Sequence, residues 1–107
     1  MELTVKERLV LMGMLPKEGN FLTLRLMRKL REALSFNEEE HKQLKFVQNG
    51  EQLSWDFTVV VVKDVEVGDV MLDVITKELK NKDKEGKLTE DHITLYEKFV
   101  EKLNLNL

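Results

Sequence analysis

A chain of 107 residues, 42% apolar and 35% charged, is long and apolar enough to bury one core rather than stay disordered, and too heavily charged to be membrane-embedded. Seventeen basic against twenty acidic residues leave a net charge of −3, which gives no overall attraction to nucleic acid or anionic lipid. The absence of cysteine excludes disulfides, thiolate metal centres and thiol catalysis, and fits a reducing compartment.

The charge is uneven. Residues 1–46 carry nine basic and seven acidic side chains, a net of +2, and residues 47–107 carry eight and thirteen, a net of −5. A dipolar chain of this kind suits head-to-tail association or a partner met through one end, although ordinary variation over a short chain accounts for it equally well. Acidic residues near the start and the lack of a long apolar stretch argue against a signal peptide. An unbroken apolar run such as Val59–Val62 is far too short to span a bilayer. The expectation is one domain over residues 1–107, located in the cytoplasm.

Along the chain, Thr4 with Glu7 forms a capping box for a first helix with Val5, Leu9 and Met12 on one face and Leu11 and Leu15 beside them. Its apolar girth implies deep packing, and Pro16 stops it. Asn20 caps a second helix over residues 21–34, with Leu22, Leu26, Met27, Leu30, Ala33 and Leu34 on one arc. Arg25, Arg28, Lys29, Arg31 and Glu32 lie opposite, and Phe21 and Leu24 fall near that basic arc. Asn37 before Glu38-Glu39-Glu40 opens a third helix of about two turns.

Asn49-Gly50 then predicts a tight two-residue hairpin between residues 45–48 and 51–55. Alternation from Phe57 to Val67 predicts a third strand, its first half covered on both faces through Val60 and Val62. Helical spacing returns with Val70, Met71, Val74, Ile75 and Leu79, and Gly86 supplies a left-handed stop. Thr89 caps a last helix with Leu95, Tyr96, Phe99, Val100 and Leu103 on its apolar face. The predicted fold is α+β: three N-terminal helices, a three-stranded antiparallel sheet with an Asn-Gly hairpin, and a C-terminal helical hairpin.

Little chemistry is left over. Glu38 and His41 form a Glu-x-x-His pair, but no second such pair follows, because Thr89 stands where His92 would need a glutamate. Capping acids beside an exposed histidine are the simpler reading. His92 lies on an apolar arc, where packing or capping is the ordinary role. No nucleophile with a partnering base, no phosphate loop and no complete ligand set is visible, so no catalytic residue, metal or cofactor is assigned.

The helix–helix–helix–hairpin order of residues 4–56 resembles winged-helix DNA-binding domains, with Arg25, Arg28, Lys29 and Arg31 as phosphate contacts. The resemblance fails at the groove-reading helix, which opens on three glutamates, and at the hairpin tip Gln48-Asn49-Gly50-Glu51, which is not basic. Nucleic-acid binding is therefore the alternative reading. A partner surface on the second helix is the preferred one: Phe21 and Leu24 among Arg25, Arg28 and Arg31 have the composition that interfaces favour. The valine run adds a β-prone segment open to self-association if it lies at a sheet edge.

The stretches Leu3-Thr-Val-Lys-Glu-Arg-Leu-Val-Leu, Leu15-Pro-Lys-Glu-Gly-Asn-Phe-Leu-Thr-Leu and Leu88-Thr-Glu-Asp-His-Ile-Thr-Leu-Tyr-Glu-Lys-Phe-Val resemble small uncharacterised proteins of bacteriophages and prophages. The resemblance implies a bacterial host cytoplasm and carries no activity. Phage proteins of this size are often assembly accessories or binders of a host protein. The combined expectation is a non-enzymatic interaction module that binds a protein partner or itself.

Overall fold

The computed structural model describes residues 1–101. A short strand β1 (Glu2–Thr4) runs directly into α1 (Val5–Met14), followed by α2 (Phe21–Leu34) and α3 (Glu38–Leu44). The hairpin β2 (Val47–Asn49) and β3 (Gln52–Ser54) comes next, then β4 (Val62–Asp64) and the long helix α4 (Asp69–Lys84). A 3₁₀ turn (Glu90–His92), a short α-helix α5 (Ile93–Tyr96) and a π-helical turn (Glu97–Glu101) form one irregular terminal rod.

The local punctuation behaves as its chemistry requires. Thr4 Oγ1 accepts the Glu7 N–H at 3.2 Å while Glu7 Oε1 accepts the Thr4 N–H at 2.9 Å. Leu15, held extended by the following proline, ends α1. Asn20 Oδ1 takes the Thr23 N–H at 2.8 Å, and Asn37 and Glu40 exchange the same reciprocal pair of bonds as Thr4 and Glu7. Gly86, at φ +67°, lets the chain fold back after α4, with Lys87 N–H donating to Lys82 O at 2.8 Å.

The sheet departs from expectation. Instead of one three-stranded sheet, the described residues form two separate two-stranded antiparallel sheets, β1 with β4 and β2 with β3. The expected strand over residues 57–67 shrinks to Val62–Asp64 because the chain turns before it. Asp56 Oδ1 accepts both the Thr58 N–H (3.0 Å) and the Thr58 hydroxyl (2.6 Å), and Val59 N–H reaches Asp56 O at 3.2 Å. That local Asp–Thr turn directs the chain away from the hairpin. Val60 and Val62, expected to be covered on both faces, are 84% and 50% exposed. The hairpin turn also shifts by one residue: Asn49 pairs with Gln52, so Gly50-Glu51 is the central pair. Gly50 alone there takes positive φ (+62°), the pattern of a type II′ turn rather than type I′.

A single apolar core joins Leu3 of β1, Leu11, Met14 and Leu15, the α2 stripe Met27, Leu30 and Leu34, and Val65, Ile75, Leu79, Leu95, Phe99 and Val100. Of the apolar residues expected to pack in α1, Val5 and Leu11 are buried, as is Leu15 just past its end, whereas Leu9 and Met12 are only half-buried. Leu22, placed on the buried arc of α2 by periodicity, is 61% exposed: the core takes up that helix only from Leu26 and Met27 onward among the described residues. Leu103, assigned to the core from sequence, lies outside the described residues.

Candidate interaction surfaces

The frame that holds the surfaces is an internal charge pair that the sequence reading left out. Arg8 is fully buried. Its Nη1 donates to Glu40 Oε2 at 2.6 Å and its Nη2 to Glu40 Oε1 at 3.3 Å. Nε donates to Leu34 O at 3.0 Å and Nη2 also reaches Ser35 O, so the guanidinium satisfies the carbonyls at the end of α2. Its flat face lies 3.8 Å from the Phe36 ring centroid. One side chain of α1 thereby fixes the α2–α3 corner. The Arg8 hydrogen bond is the main cause that holds the Glu40 carboxyl below its ordinary range, against the opposing effect of burial. Glu40 is thus no outward-facing acid: of the three glutamates opening α3, two face solvent and one is used inside.

On α2 the N-terminal half stands clear of the core. Phe21 (79% exposed) and Leu24 (37% exposed) line a groove of about 340 Å³ together with Arg25 and Arg28. Four of the five residues expected to form a partner surface therefore share one concavity. The fifth does not. Arg31 turns towards the preceding loop, where Nη2 donates to Pro16 O at 2.9 Å. Arg25 and Arg28 form no ion pair among the described residues, so the groove combines apolar walls with two uncommitted guanidinium groups.

A second surface was missed by pattern reading because its parts are scattered in sequence. Phe36, Phe46, Trp55 and Phe57 form a continuous row with centroid separations of 4.9, 6.2 and 4.8 Å, and His41 packs edge-on against Phe46 at 5.4 Å. The row begins on the Arg8 guanidinium and ends at Phe57, which is 73% exposed. Beyond it, Trp55, Phe57 and Val59–Val62 face Thr4–Lys6 across a second groove, also about 340 Å³. Volume does not separate the two grooves; charge does. The α2 groove carries two arginines, whereas the valine groove has Lys6 alone, and that lysine is already paired with Asp91 at 2.7 Å.

The histidines have local roles. His92 Nδ1 accepts the Thr89 N–H at 3.0 Å and so caps the 3₁₀ turn. His41 serves the aromatic row. No group of three or more metal-ligating side chains occurs among the described residues, and none of their helices is long and apolar enough to cross a membrane. Comparison of the chain with models of known families, with characterised proteins and with solved structures finds no match.

Arg8 had one readable signal. It falls between Val5 and Leu11 on a helix otherwise apolar over most of its girth, a position that either wastes burial or satisfies a charge. The aromatic row had none, since its contacts depend on how α3 docks against the hairpin.

Proposed function

We propose that this chain is a small non-enzymatic protein-interaction module, with the first two turns of α2 as its contact surface. The observation that carries the reading is the groove of Phe21, Leu24, Arg25 and Arg28 on a helix whose other face is locked into the core by Met27, Leu30 and Leu34. Apolar anchors beside arginines are enriched at binding hot spots, and a helix already held by its core face loses little entropy on binding. Charge complementarity sets the partner's chemistry: a protein segment that presents an apolar side chain flanked by carboxylates. The resemblance to phage proteins supports a host or virion protein as the source and the bacterial cytoplasm as the setting.

Capture from the native bacterial lysate, followed by titration of the purified partner, tests this. Leu24→Asp and the pair Arg25→Glu/Arg28→Glu should each weaken binding about tenfold or more, equivalent to ~1.4 kcal/mol, with the melting temperature unchanged. Binding unaffected by both substitutions would place the contact elsewhere.

A nucleic-acid reading has one observation in its favour: α1, α2 and α3 are followed by a β-hairpin, as in winged-helix domains. Glu38 and Glu39 remain exposed at the start of α3 and the hairpin tip ends in Glu51, so the elements that would enter a groove repel the phosphates. Nanomolar retention on duplex DNA at physiological salt, lost in Arg25→Ala and Arg28→Ala, would favour it over the protein partner.

A further inference from the structure

We propose that two copies of this chain pair through the outer edge of β4, joining their β1–β4 ribbons into one four-stranded antiparallel sheet across a two-fold axis at Val62. The inference is independent of the α2 groove and rests on an asymmetry between the two edges of the ribbon. Met1 and Val65 exchange both backbone hydrogen bonds, each 2.8 Å, and Leu3 stands opposite Lys63. Antiparallel alternation then makes Leu3–Lys63 the next exchanging pair. It turns the N–H and C=O of Glu2 and Thr4 to the outer edge of β1, and those of Val62 and Asp64 to the outer edge of β4.

The β1 edge is closed. Glu2 O accepts the Lys98 ammonium at 2.9 Å and Thr4 N–H donates to Glu7 Oε1 at 2.9 Å, with Lys98 and Glu7 themselves paired at 2.7 Å. No hydrogen bond from another element reaches the backbone of Val62 or Asp64 among the described residues. The open strand is also apolar where it begins: Val62 is 50% exposed, and Val60, two residues before it, is 84% exposed. An unblocked strand edge beside exposed β-branched residues is a template for strand addition.

The occupant that fits is a second β4. Only registers that set outward-facing residues opposite one another can form the ladder, which leaves axes at Val61, Val62 or Lys63. An axis at Lys63 sets one ammonium-bearing side chain opposite its copy, which is destabilising. An axis at Val61 runs the pairing into the Asp56–Val59 turn within two residues. An axis at Val62 pairs Val62 with its copy, would set Val60 opposite the copy's Asp64 as β4 (Val62–Asp64) lengthens by two residues on pairing, and sets no like charges opposite each other.

Sedimentation equilibrium of the intact chain, from micromolar to sub-millimolar concentration, tests the inference. The unaltered chain is expected to form a dimer. Val62→Pro removes an N–H that points away from β1, so it should spare the β1–β4 ladder while blocking the new one. Val60→Asp sets a carboxylate opposite the copy's Asp64 on an already exposed position, and decides the matter if the proline variant misfolds. Each should raise the dimer dissociation constant about tenfold or more with the far-ultraviolet circular dichroism unchanged. A monomer throughout the concentration range overturns the inference. So does a dimer that Val60→Asp leaves intact; if Leu24→Asp instead dissociates that dimer, the contact belongs to α2, and the proposed function stands while this edge pairing falls.

Discussion

Arg8 of α1 and Glu40 of α3, thirty-two residues apart, meet with Nη1 2.6 Å from Oε2 at a site where Arg8 is wholly shielded from solvent. Glu40 is at the same time the capping partner of Asn37, so one carboxylate closes a helix start and neutralises a buried cation. Removing it leaves Arg8 with carbonyl acceptors and no counter-charge. Glu40→Ala should therefore cost about 3–5 kcal/mol, read as a lowered urea midpoint, and Glu40→Gln should cost less. In the double variant Arg8→Met/Glu40→Leu the loss should be smaller than the sum of Arg8→Met and Glu40→Leu. Additive losses would mean that the two side chains act separately.

Acid should unfold the protein through Glu40 and Glu7. Burial pushes the Glu7 carboxyl up, but hydrogen bonds from Lys98, Thr4 and Thr94 outweigh it, and Glu7, like Glu40, titrates below its ordinary value of 4.5. Carboxylates depressed in the folded state contribute stability that is complete above 4.5 and is lost as the pH falls through the lower folded values. The carboxylate contribution to the denaturant midpoint should hold to about pH 5 and drop below it. Glu7→Gln should flatten the drop, and an unchanged profile in that variant would show that Glu7 is not linked to folding.

His92 gives the opposite chemistry with the same sign. Burial first, and Lys82 next, lower its pKa from 6.5, with Asp91 opposing. Its Nδ1 is an acceptor for Thr89 N–H, a role that protonation abolishes. A base with a depressed folded pKa stabilises fully above 6.5, and the contribution fades as the pH falls from there through the folded value. His92→Asn keeps an acceptor without the titration. Subtracting its stability profile from that of the unaltered chain should leave a step that starts at about pH 6.5 and runs to lower pH; a flat difference would contradict the capping role.

Gly50→Val should destabilise by about 1 kcal/mol or more, since a β-branched side chain resists positive φ even where nothing crowds its Cβ. An unchanged melting temperature would show that the hairpin contributes nothing to the cooperative unit.

The features legible in the sequence were those written within four residues. Thr4–Glu7, Asn20–Thr23 and Asn37–Glu40 are i, i+3 arrangements whose partners stand side by side on the page, and the hairpin announces itself through Gly50. The β1–β4 ribbon joins Glu2–Thr4 to Val62–Asp64, about sixty residues away, through strands of three residues each, too short for any period to emerge. Phe57–Val61 alternates like a strand yet is overruled by the Asp56 side chain, which offers its backbone a cheaper local turn. Of the α2 site, Phe21, Leu24, Arg25 and Arg28 were readable because a helix of known phase fixes which residues share a face. Arg31 was not, because its position depends on the Pro16 carbonyl that the preceding loop brings within reach.

The most direct measurement is amide chemical-shift mapping of the isotope-labelled chain as its captured partner is added. The account predicts that the largest changes fall on residues 21–28 and vanish in Arg25→Glu/Arg28→Glu. Changes centred instead on residues 38–51, with 21–28 undisturbed, would contradict it.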